Sequence, residues 1–267
     1  GHFQLKRLFK KIPFVNKLNM TEADYLNLSN TEYSNDEGWQ QIVNDLQDAY
    51  NVLPEVQRHP KLTTKAAAAA FLAKVYLYKA YHQDDANTNQ VTSINQDDLQ
   101  KVIEYTDPKL YSNYGLESDL HNNFRPEEQY ENGKECIWAI QYSKNDGTTY
   151  GNLNFSNRLV VPYIPKVHES GCDFYKPSLN LVNAYVTNSN GLPLLDSTPA
   201  TDYTVGSSQT VDPRLFVTVG MPGTPYMFNT TYMMSASGNW SRSGGTYGYH
   251  CSLKQNVDPD LTNIYIF

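Results

Sequence analysis

The sequence predicts a mainly α-helical protein, in which a scaffold of helical repeats precedes a long region rich in loops and aromatic residues. Apolar side chains recur at helical spacing through the first 110 residues. That period is lost from about Tyr111 onward, where most of the glycines and prolines lie. We therefore expect a helical scaffold at 1–110 and a loop-rich region at 111–267 packed on it.

The first helix is predicted at 1–9. No capping residue precedes it and Pro13 follows it, so it reads as the last turns of a helix whose start is missing. We therefore expect this helix to begin before the first residue of the chain.

The next two helices are predicted at 37–53 and 64–81. Ser34 and Glu37 have the spacing of a capping box, and Pro54 ends the first of these helices. The second begins at Thr63 or Thr64 and carries a run of alanines that permits close helix packing. We expect an antiparallel pair that buries apolar side chains of both helices: Trp39, Leu46, Phe71 and Val75.

A third helix is predicted after a cap formed by Ser93 and Gln96, with an apolar face that includes Leu99 and Ile103. This succession of helices is typical of a tetratricopeptide array. Trp39 lies at the tryptophan position of that repeat, and the second helix has its pair of alanine and phenylalanine four residues apart. The small residue that usually follows the first motif is absent.

Regular structure is predicted at two places after residue 111. The segment 135–142, ECIWAIQY, alternates like a short strand. The segment 177–186 has the apolar spacing of a short helix. The remainder is predicted as long loops, which in a compact domain are usually functional.

The composition argues against several classes of partner. The net charge is −7 and the chain has no basic block, which speaks against nucleic acid and anionic membranes. The longest apolar stretch, 66–73, is too short to span a bilayer. With 21 Tyr and 26 Asn, the chain can form uncharged surfaces that stack and hydrogen-bond, as the binding of neutral sugars requires. An extracellular origin or an AT-rich genome explains this composition equally well.

No pattern in the sequence predicts a catalytic centre, a metal or a cofactor. The motifs of zinc proteases, of serine hydrolases and of nucleotide-binding loops are missing. The acidic doublets, among them Asp97-Asp98, are read as solvated helix ends and loops, and the segment 256–260 as a turn rather than a calcium loop. The three cysteines are read as unpaired thiols, with one disulfide as the alternative.

Six segments of the chain carry a common resemblance. The most specific is the helix LTTKAAAAAFLAKVYLYKA; the others are GHFQLKRLFKKIPFV, ECIWAIQYS, GCDFYKPSLNLVNAYVTNSNGLP, Asp212-Pro213-Arg214 and GYHCSLK. Together, and in this order along the chain, the six segments resemble the SusD/RagB family of glycan-binding outer-membrane lipoproteins of Bacteroidota. The sequence departs from the family pattern at two places. Lys10-Lys11 replaces a glycine-containing turn, and Cys172 replaces a common tryptophan, so a stacking role at that position is in doubt.

The resemblance implies a non-catalytic lipoprotein on the cell surface. It implies that the protein captures a glycan and passes it to a TonB-dependent, SusC-like transporter of the outer membrane. The resemblance also implies that this chain is the middle part of a longer protein, cut at both ends. The lipid anchor that such a protein carries would precede the first residue of this chain.

Two alternative functions remain open on the sequence. A glycoside hydrolase needs two carboxylates at a defined separation, which the loops could supply. A tetratricopeptide adaptor would bind a peptide on its helical face rather than in the loops after Tyr111.

The ligand site is predicted in two loops, because sugars are bound by aromatic faces together with amide and guanidinium groups, and because ligand residues favour loops on a rigid scaffold. One loop is 145–157 and the other is 226–249. Trp240 is the leading candidate, since its glycine and serine neighbours leave few side chains to bury it; the alternative is that it folds back into a small core of its own loop. The candidate ligand residues are Trp240, Tyr150, Asn152, Tyr232, Asn239, Arg242 and Tyr247.

Overall fold

Short and long helices alternate with irregular segments in the computed structural model. It describes residues 1–59, 62–86, 89–125, 127–141, 159–163, 171–195, 199–237, 240–254, 256 and 258–261. The α-helices are α1 His2–Leu8, α2 Glu22–Leu26, α3 Asn35–Val52, α4 Lys65–Ala80, α5 Gln96–Tyr105, α6 Leu179–Asn183, α7 Leu215–Thr218 and α8 Gly244–Tyr247. Short 3₁₀ helices lie at Pro108–Tyr111, Leu120–Phe124, Glu128–Tyr130 and Pro259–Leu261.

The strands of the described residues form three small antiparallel sheets. Their members are β1 Tyr81–His82 with β2 Ser93–Ile94, β3 Val219–Gly220 with β6 Cys251–Ser252, and β4 Pro225–Tyr226 with β5 Asn229–Met233. In register, Tyr81 lies opposite Ile94, Gly220 opposite Cys251, and Tyr226 opposite Asn229. Each sheet has two strands, so helices supply most of the regular structure and the predicted mainly α class is confirmed.

The chain divides into two compact units. The first, here called the helical unit, comprises 1–116 and 134–140. The second, called the loop-rich unit, comprises 117–133 and 141–267. The predicted assignment of 111–267 as a ligand-binding region concerns function as well as packing, and it remains a prediction.

Helix α3 begins where the sequence predicts. The Ser34 hydroxyl accepts from the Glu37 amide at 3.3 Å, and the Glu37 carboxylate accepts from the Ser34 amide at 2.9 Å. This capping box satisfies two amides that the first turn would otherwise leave without a partner. The helix ends at Val52, just before Pro54.

Helix α4 runs antiparallel to α3, as predicted. Its first amide, that of Lys65, donates to the carbonyl of Pro54 at 2.9 Å, just after α3 ends. Near its other end Tyr78 stacks on Trp39 of the first turns of α3, with ring centroids 6.0 Å apart. Thr64 caps α4 through the Ala67 amide at 3.3 Å. The first four of the five alanines that follow Lys65 are buried, so the helix packs closely against its neighbours.

A single core cluster lies beneath α1, α3 and α4. Its buried members are Phe3, Ile12, Phe14, Trp39, Ile42, Val43, Leu72 and Val75. Leu46 and Phe71 are half-buried and pack against it. The predicted burial of Trp39, Leu46, Phe71 and Val75 is thus confirmed in outline, with two of the four only partly covered.

Two predictions at the start of α5 are wrong. The cap is Asn95, whose side chain accepts from the amides of Asp97 and Asp98, whereas Ser93 lies in β2. Asp98 is buried rather than solvated, because Lys79 of α4 donates to both of its carboxylate oxygens at 2.8 and 2.9 Å. A contact between residues 19 positions apart is invisible to a local pattern.

The predicted strand at 135–142 is also wrong over its described part. Residues 135–141 are irregular, and residue 142 lies outside the described residues. The segment 135–141 is not part of any described strand. Its alternating pattern instead places Trp138 edge-on against Phe71 of α4, with centroids 6.4 Å apart.

The loop-rich unit holds two clusters of its own. One is built around α6 and α7 from Val182, Val186, Tyr203, Leu215, Val219 and Met221. Helix α6 confirms the predicted short helix within 177–186, and Ser178 caps it through the amide of Leu181 at 3.1 Å. The second cluster surrounds Trp240. In the described part of the chain no helix has the length and apolar character that crossing a bilayer requires.

Candidate functional site

Trp240 is a core residue of the loop-rich unit. Only 8% of it is exposed, and its ring lies 5.6 Å from that of Tyr226. The other buried members of this cluster are Met227, Met234, Cys251 and Leu253. The expectation that few neighbours could bury Trp240 is wrong, because the covering side chains come from β4, β6 and their flanks rather than from its own glycines and serines. Trp240 is buried, as in the alternative of a small core, but that core is not made by the loop 226–249 alone, since Cys251 and Leu253 belong to it.

Tyr232 is half-buried against the Trp240 cluster and tied to a turn. Its hydroxyl donates to Asp260 at 2.7 Å, and that hydrogen bond raises the pKa of Tyr232 above its ordinary value. Asn229 donates to Asp258 at 3.0 Å and to Asp260 at 2.7 Å. The two carboxylates therefore hold β5 in place. The described residues contain no group of three or more His, Cys, Asp or Glu side chains able to hold a metal ion.

A buried ion pair joins two distant segments of the loop-rich unit. Lys176 donates to Asp173 at 2.8 Å and to the hydroxyl of Ser241 at 2.7 Å. Asp173 also accepts from the amide of Arg242 at 2.8 Å, and Ser241 donates to the carbonyl of Gly248 at 2.8 Å. Since the Asp173 side chain is 2% exposed and that of Lys176 12%, the network fixes 173–176 against 241–248.

The segment 241–248 presents a cation and a ring at the surface. The guanidinium of Arg242 lies 5.2 Å from the ring centre of Tyr163, and the Arg242 side chain is exposed. Tyr247, in α8, is 69% exposed. An exposed phenol face can stack on the apolar face of a sugar, and a guanidinium can donate to hydroxyl groups.

The remaining predicted site residues fall outside the described part of the chain. They are Tyr150, Asn152 and Asn239, and the predicted loop 145–157 lies there as a whole. Their role as ligand residues stays a prediction. Of the described candidates, Arg242 and Tyr247 are exposed, while Trp240 and Tyr232 pack in or against one core cluster.

The three cysteines are thiols rather than members of a disulfide, as predicted. Cys136 and Cys172 are half-buried and Cys251 is buried. Burial raises the pKa of Cys251 to about 12, so it is a thiol at neutral pH. Cys172 takes no part in the cluster around Trp240.

A cavity of about 380 Å³ lies in the helical unit. It is lined by basic and aromatic side chains, among them Lys6, Arg7, Trp39, Tyr78 and His82. Lys6 is buried, and its ammonium donates to the carbonyl of Lys10 at 2.9 Å and to the side chain of Asn35 at 3.0 Å. A peptide-binding adaptor would use a helical-face cavity of this kind.

Comparison with known proteins places this geometry in a structural class. Residues 1–77 match a family model, SusD-like, described as "Starch-binding associating with outer membrane". A SusD-like protein of Bacteroides fragilis has 19% identity to this chain and a TM-score of 0.64, over 97% of this chain and 49% of its own. The chain has a SusD-like fold. The predicted resemblance is thereby confirmed.

A second SusD-like structure supports the same conclusion. It is described as a SusD-like carbohydrate binding protein of Bacteroides fragilis, with 19% identity and a TM-score of 0.61, over 95% of this chain and 45% of its own. The SusD-like chain therefore spans about half the length of these two proteins. No curated protein matches the chain significantly.

Two exposed aromatic residues of the loop-rich unit were not predicted from the sequence. Phe174 is 52% exposed and Tyr175 74% exposed. They follow Cys172, where the departure from the family tryptophan suggested that no ring is available. Two adjacent aromatic residues in the sequence are a signal that could have identified them. Their exposure, however, depends on the ion pair between Asp173 and Lys176, which the sequence does not show.

Proposed function

We propose that this protein is a non-catalytic glycan-binding protein of the cell surface. It binds an oligosaccharide or polysaccharide and delivers it to a SusC-like, TonB-dependent transporter in the outer membrane. The observation that carries the proposal is the match of residues 1–77 to a family described as starch-binding and associated with the outer membrane. The name of one solved neighbour, a carbohydrate-binding protein, supports it.

The chemistry of the loop-rich surface supports the same function. Tyr247 offers an exposed ring, and Arg242 offers donors that no described carboxylate neutralises at its guanidinium. The neighbouring Asp173 and Lys176 cancel each other's charge in the interior. Such a surface can bind a sugar chain by stacking on its rings and by donating hydrogen bonds to its hydroxyl groups. We assign Tyr247 and Arg242 to direct ligand contact, and Trp240 to the core that supports their loop.

Calorimetric titration against a glycan panel tests this proposal. The panel includes maltoheptaose, as a fragment of starch, and oligosaccharides of the other common polysaccharides. We expect at least one glycan to bind and Tyr247→Ala to weaken that binding about tenfold, which corresponds to the lower part of the 1–3 kcal/mol known for ring stacking. Tyr25→Ala is the control, since Tyr25 is an exposed tyrosine of α2.

Two further assays on the same proteins separate the alternative functions, a glycoside hydrolase and a peptide-binding adaptor. Release of new reducing ends from any panel glycan would favour a glycoside hydrolase. Loss of peptide binding in Arg7→Ala, with Tyr247→Ala unaffected, would favour an adaptor that uses the helical cavity. If no panel glycan binds the intact protein, the proposed function is wrong.

A further inference from the structure

The segment 173–176 combines unusual backbone conformations with exposed rings. Asp173 and Tyr175 both adopt left-handed backbone conformations, with φ of 57° and 55°. Aspartate tolerates this conformation, but for a bulky residue such as tyrosine it is rare and costly. Strain of this kind persists only where the surrounding structure enforces it, and it is concentrated at functional sites.

The buried ion pair enforces the conformation of this segment. Asp173 and Lys176 flank the two aromatic residues and both turn inward, to each other and to the segment 241–248. With its two flanking side chains held inside, the stretch between them must turn outward. This arrangement therefore exposes Phe174 and Tyr175 to solvent, although apolar side chains of this size gain nothing from contact with water.

The hydrogen bonds also place this aromatic pair beside the proposed ligand residues. Asp173 accepts from the amide of Arg242, and Lys176 is linked through Ser241 to the carbonyl of Gly248, which follows Tyr247 directly. The two exposed segments are thus neighbours whose backbones are locked together. A backbone that is already fixed loses little conformational entropy when a ligand binds to the segment.

We propose that Phe174 and Tyr175 form a second aromatic platform for the glycan, next to Tyr247 and Arg242. This inference rests on the proposed glycan binding and adds a binding element to that site. The ligand class that fits is a neutral oligosaccharide with enough consecutive pyranose rings to contact both platforms. The left-handed conformation at Tyr175 serves to present its ring.

Substitution of Tyr175 by glycine separates a binding role from a structural one. Glycine adopts φ near 55° at no steric cost, and the lost side chain is 74% exposed. We expect Tyr175→Gly to keep or raise the melting temperature and to weaken binding of the tightest panel glycan about tenfold. Tyr175→Phe keeps the ring and should bind within about twofold of the parent.

A second variant covers a failure of Tyr175→Gly to fold. Tyr175→Ala leaves the backbone strain unchanged and should show the same tenfold loss of affinity. If the parent binds a glycan and Tyr247→Ala weakens it, while Tyr175→Ala and Tyr175→Gly bind like the parent, the second platform is wrong and the proposed function stands. If the parent binds none of the panel glycans, both proposals fall together.

Discussion

The two units of this protein reach a buried core by different routes. In the helical unit the core side chains recur along α1, α3 and α4, so each helix brings its own apolar face. In the loop-rich unit the residues around Trp240 come from separate short elements, β4, β6 and their flanks. The core of the helical unit follows from apolar residues that repeat along each helix, whereas the core around Trp240 depends on contacts between remote segments.

The backbone shows the same contrast. Among the described residues, the loop-rich unit has six residues other than glycine in the left-handed region, whereas the helical unit has one, Asn19. Regular hydrogen bonding removes the need for such conformations. The comparison teaches that strain accumulates where tertiary contacts, rather than secondary structure, fix the chain.

The largest expected effect compares two leucines, Leu72 in the helical core and Leu215 in the loop-rich core. Neither is exposed. Replacement by alanine should cost about 2–5 kcal/mol in each case. We expect Leu72→Ala to lie nearer the upper end, because rigid helices cannot close the cavity while irregular loops can relax into it. Urea denaturation followed by circular dichroism measures both. Equal losses of unfolding free energy in the two variants would contradict this difference between the two units.

The second prediction concerns the buried ammonium group of Lys6, which the apolar pattern of the helices did not predict. Burial lowers the pKa of Lys6 to about 8, whereas the unfolded chain has a lysine near 10.5. Between these values the unfolded state binds more protons, so the free energy of unfolding rises with pH. We expect a rise of up to about 3 kcal/mol from pH 8 to pH 10.5.

Lys6→Met is the control for that titration. Methionine carries no charge, so the variant should lack this part of the pH dependence. Tyrosines with raised pKa values, such as Tyr226, work in the opposite direction above pH 10, and they do so equally in both proteins. Parallel curves for the parent and for Lys6→Met would show that Lys6 is not desolvated in solution.

The third prediction concerns the cap of α3. Ser34→Ala removes the acceptor for the Glu37 amide and should cost about 1 kcal/mol, whereas Ser34→Gly should cost only a few tenths. Ser178→Ala is the matched substitution in the loop-rich unit, where α6 has only five residues. If thermal denaturation showed a larger loss of stability for Ser178→Ala than for Ser34→Ala, local capping would contribute more to the loop-rich unit than the comparison of the two units implies.

The smallest effect should be a gain. Ser243 has φ of 55° and its side chain caps no amide, so Ser243→Gly should stabilise the protein by about 0.5–1 kcal/mol. Asn19→Gly, at φ 60°, should gain less because asparagine tolerates this conformation. A loss of stability in Ser243→Gly would mean that the left-handed turn carries no strain.

The helices were predictable because their signals are local. The capping box joins Ser34 and Glu37, which are three positions apart, and an apolar stripe repeats within one turn. The segment 135–141, which is irregular, shows the limit of this reasoning. An alternating pattern states that the two faces of a segment differ, but strand formation also depends on other parts of the chain, which the pattern does not record.

The sequence by itself determined the helical scaffold, the caps of α3 and α4 and the resemblance that points to glycan binding, since each of these rests on residues close together in the chain. The tertiary structure alone decided that Trp240 is covered and that Tyr175 is exposed. Burial depends on side chains from distant segments: Tyr226 and Cys251 cover Trp240, while Asp173 and Lys176 turn inward and leave Tyr175 in the solvent. Solvent exposure is a property of the assembled surface, which no local pattern encodes.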